Sequence, residues 1–212
     1  MEEKIIYETE YENIKIQVID KKYVRHLRFG NSIRQSSIKL KSPFRLQTKY
    51  IRDMVSIVDK KPNIKRVLAL GLGAGTIPSH LFHRFPELQI DVVELIPELK
   101  QISHEYFFLP KHERVSIIIE DALEYVMKTD IKYDLIFIDV FNDFQIPRHL
   151  RSNKFYYRLN DILDKNGHAV FNTWISESSY QKYLKQLKNN FNKIEEVSAP
   201  KAGNHIAFCS KK

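Results

Sequence analysis

At 212 residues and 43% hydrophobic content, the chain is long enough for one sizeable packed domain, with room for a small appendage, and too apolar for global disorder. No apolar run approaches a membrane span and the acidic start Met-Glu-Glu-Lys does not read as a signal peptide, so a cytoplasmic protein is expected. The formal charge of +8 favours anionic partners, but the basic residues are scattered among acids, which argues for a solvated basic surface and against nucleic acid.

The first 40 residues predict strands at Ile5–Thr9, Ile14–Asp20, Tyr23–Phe29 and Ser32–Leu40, with turns near Asp20-Lys21-Lys22 and Gly30-Asn31. Ile14, Ile16 and Val18 alternate with Lys15 and Gln17, the period of a strand with one wet face. Residues 1–45 are therefore assigned to a small N-terminal β-module and 46–212 to an α/β domain. Leu46, Tyr50, Met54 and Ile57 fall at helical spacing, which predicts a helix over Leu46–Val58 packing onto that domain.

From Arg66 onward strands and helices alternate, the signature of a parallel sheet covered on both faces. Val67–Leu70 is a short apolar strand, and Gly71, Gly73 and Gly75 turn it into a helix over Ile77–Phe85. Glycines there let a ligand reach backbone amides with no Cβ in the way, at the positive end of a helix. Strands follow at Gln89–Glu94, Val115–Glu120, Leu135–Asp139 and His168–Asn172, with helices at Pro97–Tyr106, Ala122–Met127 and Lys154–Leu163 and a turn at Asp164–Gly167. A helix over Ser178–Asn190 and two strands, Ile194–Ser198 and Ile206–Ser210, give an antiparallel-looking end. The one cysteine, Cys209, lies in that last apolar run and reads as a buried thiol, which leaves no disulfide and no metal cluster to predict.

Ligands of open α/β sheets bind beyond the carboxyl ends of the strands, and an acid stands there three times in succession. Glu94 is placed to accept from ribose hydroxyls, Asp121 from an adenine amine, and Asp139 faces the reacting end of any ligand in the glycine loop. Each has a plainer alternative as a turn or cap residue, Asp121 above all because Ala-Leu-Glu-Tyr follows it. A nicotinamide dinucleotide is the competing ligand, but Thr76 stands where its fingerprint has the third glycine, and no second mononucleotide-binding half follows Asp139.

The segments Val-Leu-Ala-Leu-Gly-Leu-Gly-Ala-Gly-Thr, Val-Val-Glu-Leu, Ile-Ile-Glu-Asp-Ala and Tyr-Asp-Leu-Ile-Phe-Ile-Asp resemble the successive motifs of class I S-adenosylmethionine-dependent transferases. Asp139-Val-Phe-Asn-Asp-Phe-Gln-Ile-Pro-Arg-His-Leu and Lys154-Phe-Tyr resemble more closely the spermidine synthase-like branch, as does the β-rich lead-in with Gln35-Ser36. The resemblance implies a doubly wound, Rossmann-like seven-stranded sheet with an antiparallel last strand, a homodimer, and S-adenosylmethionine or its decarboxylated form as the ligand. It implies that Gly71, Gly73 and Gly75 lie against the methionine-like part, Glu94 holds the ribose, Asp121 and Ala122 the adenine edge, and Gln35 the nucleoside, with Asp139 at the reaction centre.

Three departures bear on the reaction. Spermidine synthases carry an aspartate where this chain has Ala74, Asp-Ser-Ser-Asp-Pro or a near variant where it reads Asp139-Val140-Phe141-Asn142-Asp143, and a Tyr-His-Glu triplet that Arg45–Tyr50 does not match. A neutral Ala74 would tolerate a donor carboxylate, and Asn142, Phe141, Phe144, Tyr156 and His149 would rim a pocket for a neutral or partly aromatic acceptor. The sequence therefore favours methyl transfer to a small-molecule acceptor with Asp139 as the catalytic residue. Aminopropyl transfer to a polyamine is the alternative, and a non-catalytic adenosyl-binding or interaction protein the third reading.

Overall fold

The computed structural model describes residues 2–30, 33–61, 63–141, 146–174, 180–199 and 204–212. Four strands, β1 (Lys4–Tyr11), β2 (Ile14–Lys21), β3 (Val24–Phe29) and β4 (Ile33–Lys39), form an antiparallel meander. Glu12 and Asn13, both at positive φ, close the first hairpin as a two-residue turn of the kind that matches strand twist. The predicted wet face of β2 is only partly found, because Gln17 and Ile19 are buried along with Ile16 and Val18. Gln17 meets the cost of burial by donating from Nε2 to Glu8 Oε2 on the neighbouring strand.

The rest of the chain builds one seven-stranded sheet from β5 (Arg66–Leu70), β6 (Gln89–Glu94), β7 (Val115–Ile119), β8 (Tyr133–Ile138), β9 (Leu163–Trp174), β10 (Ile194–Ala199) and β11 (Asn204–Ser210), in the order β10-β11-β9-β8-β5-β6-β7. Strands β5 to β9 pair in parallel, and β11 runs antiparallel to both of its neighbours. The doubly wound sheet of the class I S-adenosylmethionine-dependent fold is thus present. Val67 pairs with Leu135 and Leu70 with Ile138, so the chain, having grown outward from β5 to β7, returns to the other side of β5 at β8. That reversal opens a crevice between the two strand ends.

Helices α1 (Lys49–Lys60), α2 (Thr76–Arg84), α3 (Pro97–Tyr106), α4 (Ala122–Lys128), α5 (Asn153–Ile162) and α6 (Tyr180–Asn190) flank the sheet. Strand β5 shows why its run is wholly apolar. Val67 and Ala69 enter one core with residues of α1, α2 and α3, whereas Leu68 and Leu70 enter a second with residues of α4, α5 and α6. Ile16, Val18, Leu27 and Ile38 of the meander belong to the first core, so the N-terminal sheet is packed onto that face. Arg25 strengthens the contact by donating to the Tyr106 carbonyl at 2.9 Å while paired with Asp20.

Three local differences separate structure from expectation. The predicted turn at Asp164–Gly167 lies within β9 as an irregularity: two steps along β8, Tyr133 to Leu135, face five along β9, Leu163 to His168. A 3-10 turn at Arg148–Arg151, absent from the sequence reading, precedes α5. The first helix begins at Lys49, three residues later than predicted. Cys209 is buried as expected, and burial pushes its thiol pKa well up. Among the described residues no helix is long and apolar enough to cross a membrane, and no cluster of metal-ligating side chains occurs.

Candidate active site

A cleft of about 710 Å³ lies over the carboxyl ends of β5, β6 and β8, and the meander closes one side of it. Its volume falls in the range of small-molecule sites. The glycine loop forms the floor. Gly71, Gly73 and Gly75 all have positive φ. At Gly71 a Cβ would stand 2.6 Å from the Asp139 carbonyl oxygen, because the loops leaving β5 and β8 pass each other at the crevice. At Gly73 a Cβ would meet nothing within 4 Å, so this backbone is open to the cleft.

Glu94 ends β6 and is almost wholly buried. Its Oε2 accepts from the Leu72 amide at 2.8 Å and its Oε1 from the Ile96 amide at 2.9 Å. Burial raises its pKa, and the backbone donors oppose that rise. The residue thus fixes the glycine loop and lines the cleft.

Asp121 realises the plainer reading and keeps a second role open. Its Oδ1 accepts from the Leu123 and Glu124 amides as the N-cap of α4, while Oδ2 takes His149 Nε2 at 3.1 Å. Asp121, Ala122 and His149 all line the cleft. His149 thus lines the cleft while bonded to Asp121.

Asp139, just beyond β8, lies at the crevice itself. Asn172 Nδ2 donates to its Oδ1 at 2.7 Å, and desolvation raises its pKa to about 6 against that bond. Tyr50, from the first turn of α1, faces it: its hydroxyl pKa is driven well up, first by burial and then by the Asp139 charge. Gln35 reaches the cleft from β4, and Phe141 lines it beside Val140.

Several expectations are corrected. Tyr156 does not rim the cleft; it is fully buried in the second core, with its ring edge-on to Phe171 and Tyr183. Ala74 is fully buried in the first core and does not line the cleft, so its neutrality has no contact through which to favour a donor carboxylate. Asn142, Asp143 and Phe144 lie outside the described residues. Tyr50, Thr48, Asn172 and Asn204 were missed although all line the cleft. Its place on the helical stripe with Leu46, Met54 and Ile57 predicts a packing position for Tyr50. Thr48 Oγ1 is a buried hydroxyl without a hydrogen-bond partner, the kind of orphan a polar ligand satisfies.

The described groups fit an adenosyl sulfonium: bare glycine backbone, acceptors at two strand ends and a carboxylate at the switch point. Comparison with known proteins agrees. In structure the chain resembles a probable spermidine synthase from Corynebacterium glutamicum, with a TM-score of 0.87 at 24% identity over 99% of this chain and 81% of that one. It also resembles human methyltransferase-like protein 13 in complex with SAH, with a TM-score of 0.72 at 22% identity over 78% of this chain and 83% of that one. In sequence it is 29% identical to the polyamine aminopropyltransferase of Vibrio vulnificus over 76% of this chain and 27% identical to that of Chromobacterium violaceum over 90%. It spans 56% and 74% of their respective lengths. Residues 46–207 match the spermine/spermidine synthase domain, and the chain therefore belongs to that family of transferases.

Proposed function

We propose that the chain transfers an aminopropyl group from decarboxylated S-adenosylmethionine to an amine of a small polyamine. The observation that carries this reading is Asp139, a half-buried, desolvated carboxylate at the crevice, in a chain whose matched curated relatives include polyamine aminopropyltransferases. This replaces methyl transfer as the leading reading, since one of its two supports, Ala74, is enclosed in the core and the matched family and relatives favour aminopropyl transfer.

The donor's sulfonium supplies the activated carbon. Glycine-loop amides and Glu94 would hold the sulfonium-bearing and ribose parts, Asp121 and Ala122 the adenine edge, and Gln35 the nucleoside from the meander side. The acceptor nitrogen uses its lone pair to form the C–N bond as the C–S bond breaks, and the electron pair of that bond leaves on the thioether nucleoside. Asp139 is mostly ionised at neutral pH with its pKa near 6, so it orients the incoming amine and takes the proton released from nitrogen. Tyr50, kept protonated by burial and the Asp139 charge, lines the same cleft.

Methyl transfer is kept as the second reading because Asn142 stands in the sequence where spermidine synthases carry a second acid. Calorimetry with S-adenosylmethionine and its decarboxylated form, followed by putrescine turnover with each, separates the two. Tighter binding of the decarboxylated donor with spermidine formation is expected. Tighter binding of the intact donor without spermidine would restore methyl transfer, and no binding of either at millimolar concentration would favour a non-catalytic protein.

A further inference from the structure

A line of three hydrogen-bonded side chains crosses the cleft floor from the end of β8 through β9 to β11. Asn172 Nδ2 donates to Asp139 Oδ1 at 2.7 Å, and Asn204 Nδ2 donates to Asn172 Oδ1 at 2.9 Å. The strand pairing places them. Phe171 of β9 stands opposite Ile138, so Asn172 follows beside Asp139; Ile206 of β11 stands opposite Asn172, with Asn204 two residues away at the strand's start. Both amides are buried, at 2% and 5% exposure, and both line the cleft.

A carboxamide can present either its NH2 or its oxygen to a neighbour, and an ionised carboxylate can only accept. In this line Asn204 occupies the oxygen of Asn172 with a donor, which leaves the NH2 of Asn172 for Asp139. Without that donor, a half-turn of the Asn172 amide would put its oxygen against the carboxylate. The other charged or titratable groups near Asp139 do not supply the bond. Tyr50 faces it from α1, and Lys49, which lines the cleft beside Tyr50, is paired with Asp53 at 2.5 Å.

Building on the reading of Asp139 as the residue that meets the acceptor amine, we propose that Asn204 is a positioning residue. It locks the polarity of Asn172, so that Asp139 Oδ1 is held in its ionised, hydrogen-bonded state and Oδ2 is left for the acceptor. Among the described residues Oδ2 accepts no hydrogen bond.

The test is a double-mutant cycle of Asn204→Leu and Asn172→Leu, both near-isosteric and neutral, with the midpoint of the acidic limb of the pH–rate profile as readout. One net hydrogen bond, roughly 0.5–1.5 kcal/mol, corresponds to about half to one pH unit. Asn204→Leu is expected to raise the midpoint by about half a unit and to lower kcat with little change in donor KM. In the Asn172→Leu background the same change should move the midpoint no further. An unchanged midpoint in Asn204→Leu, or an equal shift with and without Asn172, would overturn the proposal. The carboxyl carbon of Asp139, titrated by NMR in the same four proteins, gives the same answer without turnover, so absence of spermidine formation would defeat the functional reading and leave this one still tested. Should Asn204→Leu fail to fold, as judged by its unfolding transition, Asn204→Ala carries the same expectation.

Discussion

Replacing Asp139 by Asn should stabilise the protein while removing its activity. Desolvation raises the Asp139 pKa from 3.8 to about 6 in the folded chain. At about 1.4 kcal/mol per pH unit, ionised Asp139 costs the fold about 3 kcal/mol relative to the neutral acid. The sign follows from proton binding. Between pH 3.8 and 6 the folded state holds a proton that the unfolded state has released, so stability is greatest below that window and is lost as pH rises through it. Asp139→Asn carries no charge and keeps an oxygen to accept from Asn172, so it should escape the loss. Urea unfolding at pH 8 should show the variant more stable by about 3 kcal/mol, or a melting temperature raised by roughly 6–12 °C for a chain of this size. The gap should close on lowering the pH to 4. Equal stability at pH 8, or a gap independent of pH, would refute the account of Asp139 as a charge held at the fold's expense. The same variant should form no product, since it has neither base nor anion to offer the amine.

Gly71→Ala combines a positive φ with a Cβ only 2.6 Å from the Asp139 carbonyl oxygen, so β5 and β8 must part. A loss of more than about 1–3 kcal/mol in urea unfolding is expected, and wild-type stability would show that the two loops do not meet. Glu94→Ala removes the acceptor of the Leu72 and Ile96 amides as well as the candidate ribose acceptor; calorimetry should find adenosyl-ligand affinity reduced by at least roughly 100-fold, at about 1.5–3 kcal/mol for each bond to a charged group. Asp121→Ala should cost about 1 kcal/mol as a lost helix cap. If Asp121 also reads the adenine edge, ligand affinity falls as well; unaltered affinity would reduce it to a cap.

What the sequence made legible was whatever a local pattern encodes. The apolar run at β5, the glycines after it and the acids at the ends of β6 and β8 each declare themselves within a few residues, and the alternation of strands and helices orders the parallel strands around them. Tyr156 shows the limit. An aromatic two residues past Lys154 reads the same whether it faces a ligand or Phe171 and Tyr183, and only the packing of α5 against β9 and α6 decides for the core. Tyr50 fails in the opposite direction: it fits the apolar stripe of α1, yet it stands in the first turn, where the helix end projects over the crevice toward Asp139.

The same contrast bears on the reaction. Asn172 and Asn204 are separated by 32 positions, and nothing in either neighbourhood marks a polar site. They meet because β11 inserts antiparallel beside β9 and brings its first residue back over the crevice. The antiparallel strand, which in the sequence argued only against a second nucleotide-binding half, is therefore also what supplies Asp139 with an oriented donor. Ala74 works in reverse. In the sequence it stands inside a ligand-binding loop and bears on the choice of donor; in the fold, positive φ at Gly73 and Gly75 turns the loop so that the intervening side chain points into the core. Donor choice thus falls to the groups that do face the cleft, among them Gly73 and Thr76 at the entrance to α2 and Thr48 with its buried hydroxyl. The charged side chains that line the same cleft, Lys49, Glu94, Glu120, Asp121 and Asp139, are the ones through which a donor carboxylate would be felt, and exchanging Lys49 for Met while comparing affinity for the two donors tests whether its cation takes part.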